Sequence, residues 1–143
     1  MQTVKHLLEH KAAQVLSVSD ADSVLNAIGI MAKFHVGALL VMQGDKLLGV
    51  MSERDYARKV ILNGRSSQNT TVGEIMSSPV IAVSPEDTVH RCMEIMTEKR
   101  IRHLPVVSGG KVVGVLSIGD LVKAVIDEQR EEIEQLQRYI VGG

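Results

Sequence analysis

The hydrophobic positions of this chain alternate with period two, change to a period near 3.6, and then repeat the whole sequence of changes. Val15-Leu16-Ser17-Val18 reads as a short strand and so does Val80-Ile81-Ala82-Val83. Each run leads into Ser-x-x-Asp, at Ser19/Asp22 and Ser84/Asp87, the spacing of a capping box; Pro85 in the second copy suits a first helical position. Apolar residues at Val24, Ala27, Ile28 and Met31, and at Val89, Cys92, Met93 and Met96, then predict one helix face in each half. Two β-rich runs follow, Ala38–Met42 and Lys46–Met51, joined by Gln43-Gly44-Asp45. Their counterparts are Leu104–Val107 and Lys111–Leu116, joined by Ser108-Gly109-Gly110. Both joints carry hairpin chemistry. A second helix opens at Ser52 or Ser117.

The predicted unit is therefore β-α-β-β-α, written twice. Offsetting the sequence by 65 residues aligns Val15–Ile61 with Val80–Ile126 without a gap, and 17 of the 47 positions are identical. Chance would give roughly 6%. The expected fold is α/β (α+β), with two such units packed about a pseudo-two-fold axis in one module spanning 1–143. The units are placed at 8–64 and 72–127, with polar Arg65–Thr71 as the link. A C-terminal helix is expected over 120–140. In it Val122, Ile126, Gln129, Ile133, Leu136 and Ile140 form a heptad seam. That seam fits either self-association, as a homodimer, or docking on its own subunit.

Charge narrows the function. Sixteen Lys plus Arg against 17 Asp plus Glu leave a net charge of −1, so nothing pulls the whole molecule toward nucleic acid or an anionic membrane. Three aromatic rings (Phe34, Tyr56, Tyr139) are too few for a base-stacking platform. A single cysteine, Cys92, makes neither an internal disulfide nor a zinc site. No apolar run reaches membrane-spanning length and the first residues lack a signal-peptide core, so the expected location is cytoplasmic.

The best-preserved stretch between the halves is Gly49-Val50-Met51-Ser52-Glu53-Arg54-Asp55, matched by Gly114-Val115-Leu116-Ser117-Ile118-Gly119-Asp120. Ser-x-x-Asp here is again capping-box spacing, and a purely structural cap explains it. A ligand explains it too. A helix start offers unpaired N–H groups to anions, an Asp there can accept from both hydroxyls of a ribose, and the glycine lets a ligand approach the backbone. Charge-assisted bonds of that kind contribute about 1.5–3 kcal/mol each.

With these two motifs, the link Val72-Gly73-Glu74-Ile75-Met76 and the run Ile101-Arg102-His103-Leu104-Pro105-Val106-Val107, the chain closely resembles the CBS-domain family from about Leu8 to Ile126. The resemblance implies a tandem pair with two clefts between its units, each able to take an adenosine ligand: AMP, ADP, ATP, S-adenosylmethionine or NAD(H). It assigns the ribose hydroxyls to Asp55 and Asp120, with Ser52 and Ser117 close by. It sets adenine against Val15, Leu16 and Val18 in one cleft and Val80 and Ile81 in the other. Arg102 and His103, followed by Leu104 and Pro105, hold the positions that in the gamma subunit of AMP-activated protein kinase carry a basic pair facing phosphate. Their first-half counterparts, Gly37 and Ala38, cannot; Arg54 and Arg58, one helical turn apart, take that role instead. The two clefts are thus expected to differ, the one using Arg102 and His103 preferring AMP. Output would pass in trans to an effector protein through a conformational change.

Catalysis has no residues to rest on. No nucleophile elbow, P-loop or dinucleotide fingerprint is present. His6 and His10 lie one turn apart with no third ligand evident, Cys92 falls on an apolar helix face, and the seven Met read as core. The expectation is a non-enzyme. The alternative to a nucleotide sensor is a dimeric scaffold or protein-interaction module with empty clefts.

Overall fold

The structure, a computed structural model, describes residues 2–11 and 15–142. Among the described residues twelve elements follow one another: α1 (Val4–Glu9), β1 (Ser17–Val18), α2 (Val24–Phe34), β2 (Ala38–Gln43), β3 (Lys46–Ser52), α3 (Glu53–Tyr56), a π-helical turn (Ala57–Ile61), α4 (Val72–Ile75), α5 (Val89–Lys99), β4 (His103–Ser108), β5 (Lys111–Ser117) and α6 (Ile118–Gly142). The α-β-β-α part of the plan is present in both halves, its leading strand only in the first, and the C-terminal helix is present too. The chain divides into two compact units. One takes in the described residues of 14–81 and 109–113, the other those of 1–13, 82–108 and 114–143.

In the first-half unit β1 pairs parallel with β2, and β2 pairs antiparallel with β3 in the register Ala38↔Ser52. Gly44 turns the hairpin at φ 59°, where a side chain would be strained. Helix α2 lays Val24, Ala27 and Met31 on this sheet. They join Leu39, Val41, Met51, Val60, Val72 and Ile75 in one core. Fully burying each such aliphatic side chain contributes about 1.5–3 kcal/mol. In the second half of the sequence β4 and β5 pair, and α5 buries Val89, Cys92 and Met96 at the same periodicity. Burial pushes the Cys92 thiol up to about 11, with the Asp87 charge adding to the effect, as befits a small core residue.

Three local expectations need correction. The helix starts lie four residues later than Ser19 and Ser84: the true N-caps are Ser23, accepting from Asn26 N–H, and Thr88, accepting from Arg91 N–H. Ser19/Asp22 and Ser84/Asp87 instead close a turn before the helix. Each Asp carboxylate accepts its Ser N–H (3.0 and 2.8 Å), and each Asp N–H donates to its Ser carbonyl (both 3.1 Å). Such short side chains bond their own backbone as readily in turns as at caps, so the spacing alone does not separate the two. Pro85 consequently lies in that turn. The second correction is to the first strands. β1 is only Ser17–Val18, and Val80–Val83 contributes a single parallel bridge, Val83↔Val106. Third, the helix after Ser52 does not continue as an α-helix but widens into the π-turn at Ala57–Ile61.

Residues 3–11 and 71–77 do the same work in different units. Thr71 bridges to Ser23, and Val72 and Gly73 donate to the carbonyls of Asp22 and Asp20. Thr3 bridges to Thr88, and Val4 and Lys5 donate to the carbonyls of Asp87 and Pro85. Helix α4 thus braces the first-half unit and α1 the second-half unit. The link Arg65–Thr71 is correspondingly tied down: Thr70 is buried and its carbonyl accepts Val24 N–H at 2.9 Å. At the other end of the chain, the apolar seam of α6 is exposed at Val122, Ile126, Ile133, Leu136 and Ile140.

Candidate functional site

Each hairpin ends in the Ser that starts the next helix, and the motif Asp comes three residues later. In the first half, Asp55 Oδ2 accepts Ser52 N–H (2.9 Å) and Ser52 Oγ–H (3.0 Å), while Asp55 N–H donates back to Ser52 Oγ (3.2 Å). Its other oxygen accepts Ser77 Oγ–H at 2.9 Å and pairs with Lys59 Nζ at 3.1 Å. The side chain is 9% exposed. A carboxylate offers about four acceptor sites, and all four are taken by the protein.

The second copy differs. Asp120 Oδ2 accepts Ser117 N–H at 2.8 Å and Asp120 N–H returns to Ser117 Oγ at 3.2 Å. The cation at this carboxylate comes from the N-terminal segment: Lys11 Nζ lies 2.7 Å from Asp120 Oδ2 and 2.6 Å from the Val115 carbonyl. Among the described residues Asp120 Oδ1 has no hydrogen-bond partner. The side chain is 29% exposed. Partial burial works to raise the pKa of this carboxyl; the Lys11 hydrogen bond, the Ser117 N–H and the Lys11 charge outweigh it and hold the group below its ordinary value.

The glycines of the two motifs are close-packed. A Cβ on Gly49 would stand 2.8 Å from both Met76 Sδ and the Ser77 carbonyl oxygen; one on Gly114 would stand 2.6 Å from Leu8 Cδ2. So the glycine that the sequence offers for ligand approach is occupied in each half by the bracing segment.

Ser117 bonds Asp120, and Arg102 and His103 lead into β4 of the same half. The Arg102 carbonyl accepts Ile118 N–H at 2.9 Å, so the exposed Arg102 side chain springs from beside the helix start, and β4 begins at His103. Leu104 and Pro105 are buried just beyond. In the first-half unit the Gly37 carbonyl accepts Glu53 N–H at 3.0 Å and Ala38 pairs with Ser52, so these two hold the equivalent places without a cationic side chain. Gly37 also lines an open groove of about 600 Å³ with Ile28, Met31, His35, Glu53 and Tyr56. Val15 is exposed and Leu16 half-buried, with its carbonyl accepting Leu40 N–H; Val18 is committed to the core. Val80 and Ile81 are half-buried.

Arg54 and Arg58 do not share one regular α-helical face. Arg54 is in α3 and Arg58, exposed, is in the π-turn. Lys59, not either arginine, is the cation at Asp55. Sequence reasoning missed Lys59, Ser77 and Lys11. Lys59 was readable, as an i, i+4 partner of Asp55. Ser77 and Lys11 were not, being 22 and 109 residues away from the groups they bond.

Comparison with known proteins decides the family. The CBS-domain pattern matches residues 4–62 and 72–127. This chain belongs to the CBS-domain family. It is 47% identical over 127 residues to CBS domain-containing protein CBSX3, mitochondrial, of Arabidopsis thaliana, covering 85% of this chain and 62% of that protein. CBS domain-containing protein YhcV of Bacillus subtilis is 31% identical, with 85% and 84% covered. The chain thus spans less than two thirds of the first of these relatives. Among solved structures, a protein with CBS domains from Burkholderia ambifaria MC40-6, described as a candidate signal-transduction protein, superposes with a TM-score of 0.87 at 49% identity, covering 90% and 96% of the two chains. The CBS-domain protein ATU1752 of Agrobacterium tumefaciens gives 0.82 at 35% identity, with 86% and 98% covered. The CBS relatives named here carry no enzyme name. No helix among the described residues is long and apolar enough to cross a membrane.

Proposed function

We propose that this CBS pair is a regulatory module that binds an adenosine nucleotide at the Asp120 turn, and that it signals in trans as a homodimer in the cytoplasm. The single observation that carries the reading is Oδ1 of a partly exposed, ionised Asp120 beside Ser117, an oxygen that accepts no hydrogen bond among the described residues. A vicinal diol donates two hydrogen bonds, and a carboxylate with one oxygen still open at a helix start receives them. Arg102, His103 and Lys11 are cations or potential cations within the same unit, which favours a ligand that also carries phosphate, such as AMP or, with a longer phosphate chain, ADP, ATP or NAD(H). Binding is coupled to output only by the difference in ligand affinity between two arrangements of the protein. The exposed α6 seam is the surface we assign to self-association.

Asp55 supports a second reading for the first motif. Its four bonds leave nothing for a ribose, so that copy acts as a structural cap, as a scaffold would use it.

Thermal unfolding with AMP, ATP, NADH and S-adenosylmethionine tests the proposal. A ligand at 100 times its dissociation constant stabilises the fold by about 2.7 kcal/mol, worth several degrees at this size. We expect that shift with at least one phosphate-bearing ligand, reduced in Arg102→Ala. No shift with any of the four would leave the scaffold reading in its place.

A further inference from the structure

Helix α1 carries His6 and Glu9 on exposed positions, and His10, its C-cap, is exposed as well. Spacings of three and four residues set them together on one side of a helix. Their ligand-capable atoms all lie within 4.8 Å of one another, and the two imidazoles meet edge to face with centroids 4.8 Å apart. Among the described residues none of the three side chains is in an ion pair, and the two rings contact each other. The sequence shows the two histidines; the fold adds the third donor that they lacked.

The backbone beneath them is fixed. Thr3 caps α1 by accepting His6 N–H, Val4 is fully buried, and Val4 and Lys5 N–H donate to Asp87 and Pro85 at 2.8 and 2.9 Å. Leu8 packs on Gly114 and Lys11 bonds Asp120. Only side-chain rotation is needed to bring the donors to the roughly 3.3 Å spacing that bonds of about 2.0–2.1 Å to a tetrahedral ion require.

We propose that His6, Glu9 and His10 form a surface site for a divalent transition cation of the zinc class, with water completing the coordination. Two imidazoles and one carboxylate select zinc, copper or nickel over magnesium and calcium, which prefer all-oxygen shells. The bound ion staples the one turn of α1 that lies between the buried Val4 and Lys11. Because Lys11 follows His10 directly, the ion also steadies the segment that delivers a cation to Asp120; this consequence, unlike the site itself, bears on the nucleotide reading.

Zinc chloride titrated into the full chain by calorimetry at neutral pH, alongside His6→Gln and His10→Gln, tests the site without any nucleotide. All three positions are exposed, so the variants keep the fold, which circular dichroism checks. We expect one saturable zinc per chain, at least about tenfold weaker in either variant. We also expect slower amide exchange over residues 6–11 on adding zinc to the unsubstituted protein alone. An absence of saturable binding, or binding that both variants retain in full, would overturn the proposal and leave the nucleotide reading untouched.

Discussion

The two copies of Gly-x-x-Ser-x-x-Asp are the same sequence device put to different use. Around Asp55 the fold has closed every valence: Ser52, Ser77 and Lys59 surround a buried carboxylate. Around Asp120 the cap is kept, but the position matching Lys59 is Ala124, and the missing cation arrives from Lys11 on a segment near the other end of the chain. One copy therefore holds the structure together. The other is held by a partly exposed ion pair, the contact at which we propose that a ligand enters. Duplication conserved the local turn, which the sequence of seven residues dictates, and let the long-range partners diverge.

Removing each carboxylate separates the roles most sharply. Asp55→Ala leaves Ser77 Oγ and the Ser52 N–H without their acceptor in a nearly dry place, at a cost of about 2–3 kcal/mol. Asp120→Ala loses a cap and an accessible ion pair, about 1 kcal/mol. Urea denaturation of the two variants reads the difference, and equal losses would erase the distinction. The glycines come next. Gly49→Ala drives a methyl into the Ser77 carbonyl, part of a backbone that is itself hydrogen-bonded to Val50, and should cost about 1–3 kcal/mol. Gly114→Ala meets only the movable end of Leu8, so it should cost less than about 1 kcal/mol and be relieved by Leu8→Ala. The reverse order would contradict the reading of a backbone wall at Gly49 and a movable side chain at Gly114.

A smaller effect concerns pH. Because the Asp120 carboxyl is held below its ordinary value of 3.8, its contribution is complete above that value and is lost as the pH falls through the folded-state value. The stability gap between the unsubstituted protein and Asp120→Asn should therefore narrow in acid. Glu74, drawn down to about 2 by the Thr71 N–H and by Arg65, adds a loss of the same sign in both proteins, so only the gap is diagnostic. A gap that stays constant down to the lowest pH would remove Lys11 from the account.

The parts of the fold readable from sequence were those governed by near neighbours. Hairpins at Gly44 and Gly109-Gly110, the amphipathic faces of α2 and α5, and the Ser52 and Ser117 helix starts all follow from spacings of a few residues. Ser19 and Ser84 misled because a turn and a cap use the same atoms at the same spacing, and what distinguishes them is whether Ser23 or Thr88 offers a better start four residues on. The full capacity of the candidate site was not legible. Whether a motif carboxylate is saturated depends on Ser77 and Lys11, whose arrival is decided by the packing of 71–77 and 3–11. A heptad seam could be seen in α6, yet its exposure became known only once the rest of the chain had packed.

Calorimetric titration of AMP into the unsubstituted protein and into Asp120→Asn bears most directly on the unequal roles. Losing a charged acceptor for the sugar hydroxyls should weaken binding by about tenfold or more. An affinity that survives this substitution unchanged would contradict the assignment of Asp120 as the ligand-receiving carboxylate.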